Sequence, residues 1–216
     1  MTKEIETELD KIEHYQRFKI MKPFIGENYF NAKKKILVIA ESHFFDHEPT
    51  SKNPSVNPDI NTGPSKWYGS TLKVLDPSKY DSINTRKIVE TSTHPVFKEL
   101  EIILSMSMEK YNNRSINNIA FMNGFQRPAN KKGQSIKQLA SEKDFKVGKE
   151  TVSKVIEIIK PDLVLFISKY AWEKIGKQLD KLENTQYEFI NHPASIRYWH
   201  NAKYPNSKYK LLELLK

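Results

Sequence analysis

The sequence contains no cysteine, and this absence excludes several classes of protein at once. A disulfide framework, a thiolate zinc site and a cysteine-ligated iron–sulfur cluster are all ruled out. No apolar run approaches the ~18 residues that a membrane-spanning helix needs, and residues 1–35 hold no apolar signal core. We therefore expect a cytoplasmic protein without a membrane span.

Acidic residues are the next shortage, and they are unevenly distributed. The chain has 35 Lys and Arg against 26 Asp and Glu, a formal charge of +9. Residues 110–141 and 189–212 contain no Asp or Glu, and aromatics such as Trp199 and Tyr204 lie among the cations of the second stretch. Cations offset phosphate charge and aromatic rings stack on bases, so the pattern predicts a polyanionic partner. The simpler alternative is a solvated basic face.

Short apolar runs alternate with helical patterns, which is typical of an α/β fold. The predicted strands are residues 36–40, 116–123, 162–168 and 187–191. The main predicted helices are residues 5–21, a helix opening at Pro95, 150–160 and 208–215, with loops over 41–66 and 124–148. We expect one domain over residues 1–216, in which residues 1–34 form an N-terminal helix and lead-in. Its predicted architecture is three-layer α/β/α around a central four-stranded, mostly parallel sheet.

Polar residues at the carboxyl ends of the predicted strands are the first candidates for a site, because ligands of such sheets bind there. The segments at these ends are Glu41-Ser42-His43, Asn123 and its followers, Ser168-Lys169-Tyr170 and Asn191-His192-Pro193. An Asn amide donates and accepts at once, so Asn123 is suited to reading the edge of a nucleobase. Each candidate also has a structural alternative: Asn123 turning the chain before Gly124, and His192 as an ordinary structural histidine.

Two other chemistries fit the first of these segments less well. Ser42 beside His43 suggests a serine hydrolase, but the chain has no Gly-x-Ser-x-Gly elbow, and adjacent side chains point in different directions. His43, Asp46, His47 and Glu48 suggest a metal cluster, but their spacing matches no established site. A polar loop explains the second pattern more simply, and we predict no metal and no cofactor.

The ordered set of motifs resembles the uracil-DNA glycosylase superfamily over residues 35–200. The resemblance rests on Glu41-Ser42-His43 after the first strand, Asn123 through Pro128 after the second, and His192-Pro193-Ala194-Ser195 after the fourth. Lys66-Trp67-Tyr68-Gly69 is similar to the place where family members carry an aromatic that stacks on the base. The first motif departs from the family, since it lacks the glycine and proline that usually surround the acidic residue.

The resemblance implies a role for each motif. His192 would stabilise the anionic base, with Glu41 and His43 as the other catalytic candidates, and Asp46 or Glu48 as alternatives to His43 for activating water. Substrate would be bound by Asn123, Tyr68 (or Trp67), Phe44 and Ser42, and DNA phosphates by Arg127, Ser195 and Arg197. The expected partner is uracil-containing or damaged DNA, and the expected form is a monomer.

The function predicted from the sequence is therefore a DNA repair enzyme that hydrolyses the N-glycosidic bond of uracil or a related base. A non-catalytic nucleic-acid or nucleotide-binding protein of the same fold is the alternative, motivated by the altered first motif. A small-molecule hydrolase on a similar sheet is the third class considered.

Overall fold

The computed structural model describes residues 3–44, 63–69, 81–91, 94–129, 135–193, 195, 199 and 207–216. Its centre is a five-stranded sheet in the order β1-β3-β2-β4-β5. The strands are β1 (Phe24–Ile25), β2 (Ile36–Ala40), β3 (Ile119–Asn123), β4 (Leu163–Phe166) and β5 (Gln186–Phe189). β2 is parallel to both β3 and β4, β4 is parallel to β5, and β1 is antiparallel to β3.

The α/β class predicted from the sequence is confirmed, but the sheet has five strands and is mixed. The extra strand is β1, in which Phe24 pairs with Phe121 and Ile25 with Ala120. Two residues directly after Pro23 are too few to show a period of two, so the sequence pattern does not reveal this strand.

Helices cover both faces of the sheet. They are α1 (Lys3–Asp10), α2 (Glu13–Arg17), α3 (Gly63–Trp67), α4 (Thr85–Thr91), α5 (Pro95–Leu104), α6 (Glu142–Ile159), α7 (Lys169–Lys174) and α8 (Ser207–Leu214). Apolar residues of α1, α2, α3, α6 and α7 form one buried cluster with Leu37 and Ile39 of β2. Residues of α4, α5 and α8 form a second cluster with Ile36 and Val38. Successive side chains of a strand point to opposite faces, which is why β2 is apolar throughout.

Two helices differ from the predicted bounds. The helix predicted over residues 5–21 is divided into α1, α2 and a 3-10 turn, because Ile12 is extended (φ −69°, ψ 118°). α6 begins eight residues earlier than predicted, with Ser141 and Asp144 forming a capping box at its start. No helix within the described ranges is long and apolar enough to cross a bilayer.

Gly148 lies where α6 approaches the loop that follows β3. An added Cβ would lie 2.8 Å from the Gly124 carbonyl oxygen and 2.6 Å from Ile175 Cδ1. The Ile175 side chain can rotate away, but the Gly124 backbone is held by its N–H donating to Ala40 O at 2.9 Å. Gly148→Ala is therefore expected to lower the free energy of unfolding by about 1–3 kcal/mol despite alanine's better helix propensity.

Urea unfolding monitored by circular dichroism measures this effect. The matched control is Glu157→Ala, an exposed substitution on the same helix, expected to change the unfolding free energy by less than about 0.5 kcal/mol. Equal stability of the two variants would show that α6 has room to move away from the loop.

Candidate functional site

The carboxyl ends of the parallel strands bring three predicted site residues to one edge of the sheet. Ala40 pairs with Asn123, so Glu41 directly follows this pair. The pairing of β2 and β3 continues past the strands, because Phe125 N–H donates to Glu41 O at 2.9 Å. β5 lies beyond β4 and ends at Phe189, three residues before His192. Glu41, Asn123 and His192 therefore share the edge that the sequence indicated.

The Glu41 carboxylate is held by two serine hydroxyls. Ser168, at the end of β4, donates to Oε2 at 2.8 Å, and Ser135 donates to Oε1. Ser168 Oγ also accepts from Ala171 N–H at 3.3 Å, and Ser135 Oγ accepts from Lys137 N–H at 3.1 Å. Each serine is thus oriented by a helix that it caps, and the carboxylate is oriented by both.

Asn123 ends β3 with a side chain that is only 6% exposed. Its carbonyl oxygen accepts from Gln126 Nε2 at 2.6 Å. Within the described part of the chain, the side-chain amide itself makes no hydrogen bond to another residue. The Asn123 amide is not among the fully enclosed polar atoms that lack a partner, so its polar atoms reach the solvent at this edge. The amide is therefore available to a ligand at this edge.

His192 lies in a turn closed by Ser195 N–H, which donates to His192 O at 2.9 Å. Before the turn, Asn191 N–H donates to Ser207 Oγ of α8 at 3.1 Å. Burial lowers the pKa of His192 below its ordinary value; the nearby His94 lowers it further, and Glu41 partly opposes both. The imidazole is thus neutral at pH 7 and carries one ring N–H.

His94 is a neighbour of this site that sequence reasoning missed. It caps α5: its Nδ1 accepts from Val96 N–H at 3.3 Å, which assigns the ring proton to Nε2. Its ring centroid lies 6.0 Å from that of Phe44. The signal in the sequence is the dipeptide His94-Pro95, which repeats His192-Pro193 but precedes a helix instead of following a strand.

An aromatic pair lies near Glu41, on the face of the sheet that α6 and α7 cover and opposite to the face that α5 covers. Phe125 and Tyr170 stack with ring centroids 5.3 Å apart, and Lys137 Nζ lies 6.0 Å from the Tyr170 centroid. Burial raises the pKa of the Tyr170 hydroxyl, and Glu41 adds to the shift. The sequence placed Tyr170 in a segment at a strand end but gave it no role.

His43 points into the core and not toward the strand ends. It is 4% exposed, and its Nε2 lies 3.0 Å from Thr85 Oγ1. Burial lowers the pKa of His43 to about 3, with a hydrogen bond to the Ser82 backbone partly opposing. A neutral, enclosed imidazole of this kind favours a structural role over the activation of water.

This buried histidine makes stability depend on pH. The pKa of His43 is lower in the folded protein, at about 3, than the ~6.5 of an unfolded histidine. Below pH 6.5 only the unfolded chain binds this proton. The stabilising contribution of the neutral His43 is therefore complete above pH 6.5 and decreases as the pH is lowered. Between pH 7 and 5 the free energy of unfolding is expected to fall by about 2 kcal/mol from this group.

Urea unfolding at pH 7, 6 and 5 measures the effect, and His43→Gln is the comparison because glutamine does not titrate. The wild type is expected to lose about 2 kcal/mol more than the variant over this range. His14, another buried histidine, adds the same slope to both proteins. Parallel pH profiles would show that His43 is not kept neutral by folding.

Arg127, predicted to hold a phosphate, is buried in an ion pair. Its Nε donates to Asp144 Oδ1 at 2.8 Å and its Nη2 to Asp144 Oδ2 at 2.9 Å. The side chains are 5% and 0% exposed. Nη2 also donates to Leu139 O at 2.7 Å. This location favours a role in holding the start of α6 over one in binding DNA.

Tyr68, predicted to stack on a base, lies beside α6. Its hydroxyl donates to Asp144 Oδ1 at 3.0 Å, and burial, reinforced by that carboxylate, raises its pKa. The preceding Trp67 is buried, donates from Nε1 to Gln126 O at 2.9 Å and stacks on Phe18. Both aromatics are thus engaged with the N-terminal helices and α6.

The remaining predicted residues are placed in part. Phe44 forms an isolated bridge with Ala129, Ser42 is half-buried beside Glu41, and Ser195 N–H closes the His192 turn. Arg197, Asp46, His47 and Glu48 lie outside the described residues. No group of three or more metal-ligating His, Asp or Glu side chains is found among the residues the structure describes.

No protein-family model matches this chain, and no curated protein matches it. The edge offers a neutral imidazole in His192, an oriented carboxylate in Glu41 and an amide in Asn123. Together these groups can stabilise negative charge on one part of a ligand and positive charge on another.

Proposed function

We propose that this chain is a DNA glycosylase that hydrolyses the N-glycosidic bond of uracil or a related base, as its motifs suggest. The observation that carries the proposal is the Asn123 amide: its residue is largely buried, its polar atoms have no partner among the described residues, and it lies at the same sheet edge as Glu41 and His192. A carboxamide at this depth is suited to pairing with the edge of a base that has left the helix.

The chemistry follows from the charges that bond cleavage creates. As the bond between sugar and base breaks, negative charge develops on the base and positive charge on the sugar. The neutral imidazole of His192 would donate to the base oxygen that becomes anionic, and the carboxylate of Glu41 would stabilise the sugar cation. Water then supplies a hydroxyl to the sugar carbon and a proton to the base.

The Lys and Arg residues in the two stretches without acidic residues support a DNA substrate. The acid-free stretch 110–141 includes Asn123, and the stretch 189–212 includes His192. Cations beside a base-reading site would offset the phosphates on either side of an extruded nucleotide. Asn123 would distinguish uracil from cytosine, because the two bases present opposite donors and acceptors at ring position 3 and at the group on C4.

The test is release of free base from a labelled oligonucleotide containing one uracil, single- or double-stranded. The wild type is expected to release uracil, and an identically purified Asn123→Ala protein is expected to release none above background. A matched oligonucleotide with thymine at the same position controls for unspecific cleavage. Intact uracil substrates in both forms would overturn the proposal.

A binding protein without catalysis is the second candidate. Both oxygens of Glu41 accept hydrogen bonds from serines, and His43 is buried, an arrangement that favours holding a ligand over activating water. This candidate predicts binding to the uracil oligonucleotide that weakens steeply with salt, without base release.

A further inference from the structure

The structure has a cavity of ≈ 310 Å³ between α2 and α6. Glu41, Asn123 and His192 do not line it, so it is distinct from the strand-end site. Its walls are formed by α2, by one face of α6 and by Tyr68. A volume of about 300 Å³ is at the lower end of the range for small-molecule sites.

The lining of this cavity carries a modest excess of positive charge. Arg17, Lys143, Lys146 and Lys154 line it against two acidic residues, Glu13 and Glu150, a difference of two positive charges. Lys146 is paired with Glu150 at 4.0 Å. Neither Lys143 nor Lys154 has a carboxylate within 4.0 Å among the described residues. These two ammonium groups are thus available to an anion.

Hydrogen bonds hold two of the residues that line the cavity, Arg17 and Tyr68, in place. Arg17 Nη1 donates to Tyr68 O at 2.9 Å, and Nη2 donates to Gly69 O. These acceptors are neutral carbonyls, so the guanidinium charge is not compensated by them. Tyr68 is anchored to α6 through Asp144, and Lys143 Nζ lies 5.9 Å from its ring centroid. Arg17 and Tyr68 are therefore preorganised, and the guanidinium charge stays in place.

A buried polar atom at this cavity also lacks a partner. His14 lines the cavity and is 7% exposed, and its Nε2 makes no hydrogen bond in the described structure. Burial, then the charge of Arg17, lowers the pKa of His14 to about 3, which is consistent with a positive potential here. That nitrogen is enclosed by the protein, so it belongs to the closed wall of the cavity and is not itself a contact for a ligand.

We infer that the cavity between α2 and α6 binds a compound with at least two phosphate groups, one contacted by Lys143 and another by Lys154, which lie ~16 Å apart along α6. Ammonium groups act on phosphate as point charges, and this cavity adds an anchored guanidinium and an aromatic ring. The phosphate groups belong either to a free phosphate compound or to a nucleic-acid backbone. This site does not depend on the glycosylase proposal, because none of the strand-end residues takes part.

The test titrates inorganic pyrophosphate into the whole protein by isothermal calorimetry at low ionic strength. The test variant carries Lys143→Gln and Lys154→Gln, two exposed positions on α6. The matched control carries Lys98→Gln and Lys177→Gln, two exposed lysines that do not line the cavity. Both variants lose the same net charge, so a difference between them reports location. Thermal melting confirms that each variant is folded.

Wild type and control are expected to bind pyrophosphate with affinities within about twofold of each other, and the cavity variant about tenfold more weakly. A second arm measures anisotropy of a labelled single-stranded oligonucleotide without uracil. Weaker oligonucleotide binding by the cavity variant assigns the phosphate to a nucleic-acid backbone, and unchanged binding assigns it to a free compound. Absence of pyrophosphate binding, or equal binding by both variants, would overturn the inference.

Discussion

Under the glycosylase function that we propose, replacement of His192 by alanine is expected to slow uracil release by about 10²–10³-fold, the usual effect of removing one donor from an anion-stabilising site. The imidazole is neutral because burial and His94 lower the pKa of His192, so the wild type has one N–H to donate at pH 7. Alanine removes that donor at the step where the base becomes anionic. The effect is therefore expected in the single-turnover rate and not in DNA affinity.

The fold is expected to survive this substitution. His192 is half-buried, and the hydrogen bonds that close its turn use backbone groups, chiefly Ser195 N–H to His192 O. Single-turnover cleavage, oligonucleotide affinity and melting temperature are measured on the same preparations, with Glu157→Ala as an exposed control. Undiminished cleavage by the variant would remove His192 from the mechanism. A large fall in melting temperature would assign it a structural role instead.

The fold class and the positions of the strand ends could be predicted because both depend on local pattern. Buried strands such as 36–40 read as continuous apolar runs, and the end of a run is visible in the sequence. Glu41, Asn123 and His192 were found as the polar residues that follow such runs. The rule that ligands bind at strand ends needs no knowledge of tertiary contacts.

The partners of those residues could not be predicted, because they come from distant parts of the chain. Ser135 is 94 positions from Glu41, and Ser168 is 127 positions away. The start of α6 was missed since Gly148 and a run of charged residues resemble a loop, whereas packing against Gly124 needs the glycine. His43 reads as a polar strand-end residue, and only the position of Thr85 shows that its ring is enclosed.

Arg127 is the clearest case in which composition misdirects. It lies in a stretch without acidic residues, from 110 to 141, so it reads as a cation without a partner. Its partner, Asp144, follows three residues after that stretch ends and is completely buried. The count of charges over residues 110–141 gives only the average charge of that segment. Whether Arg127 has a partner depends on where α6 begins, because Asp144 lies in its first turn.

Replacement of Asp144 by alanine is expected to lower the free energy of unfolding by about 3–5 kcal/mol, since it leaves the buried Arg127 charge uncompensated. The carboxylate accepts from Arg127 at 2.8 and 2.9 Å, from Ser141 N–H at 2.9 Å and from the Tyr68 hydroxyl at 3.0 Å. Alanine would remove the capping box of α6 and the anchor of Tyr68 at the same time.

The pH dependence of the Arg127–Asp144 pair differs in cause from that of His43. The folded protein favours the charged form of Asp144, whereas it disfavours the charged form of His43. Burial alone would raise the pKa of Asp144, but the hydrogen bond and charge of Arg127, with Ser141, lower it below its ordinary value. The contribution is therefore complete above the unfolded pKa of ~3.9. It is lost as the pH falls through the folded value, so wild type and Asp144→Ala should converge in stability at strongly acidic pH.

Urea unfolding at pH 7 separates the charge effect from the loss of packing. Glu142→Ala, an exposed change in the same helical turn, is the control and is expected to alter stability by less than about 0.5 kcal/mol. The double substitution Arg127→Leu with Asp144→Leu removes both charges, and we expect it to be more stable than Asp144→Ala. If Asp144→Ala lost less than about 1 kcal/mol, water would have to reach the guanidinium. Arg127 would then be accessible enough to bind the DNA phosphate that its place in the motif suggests.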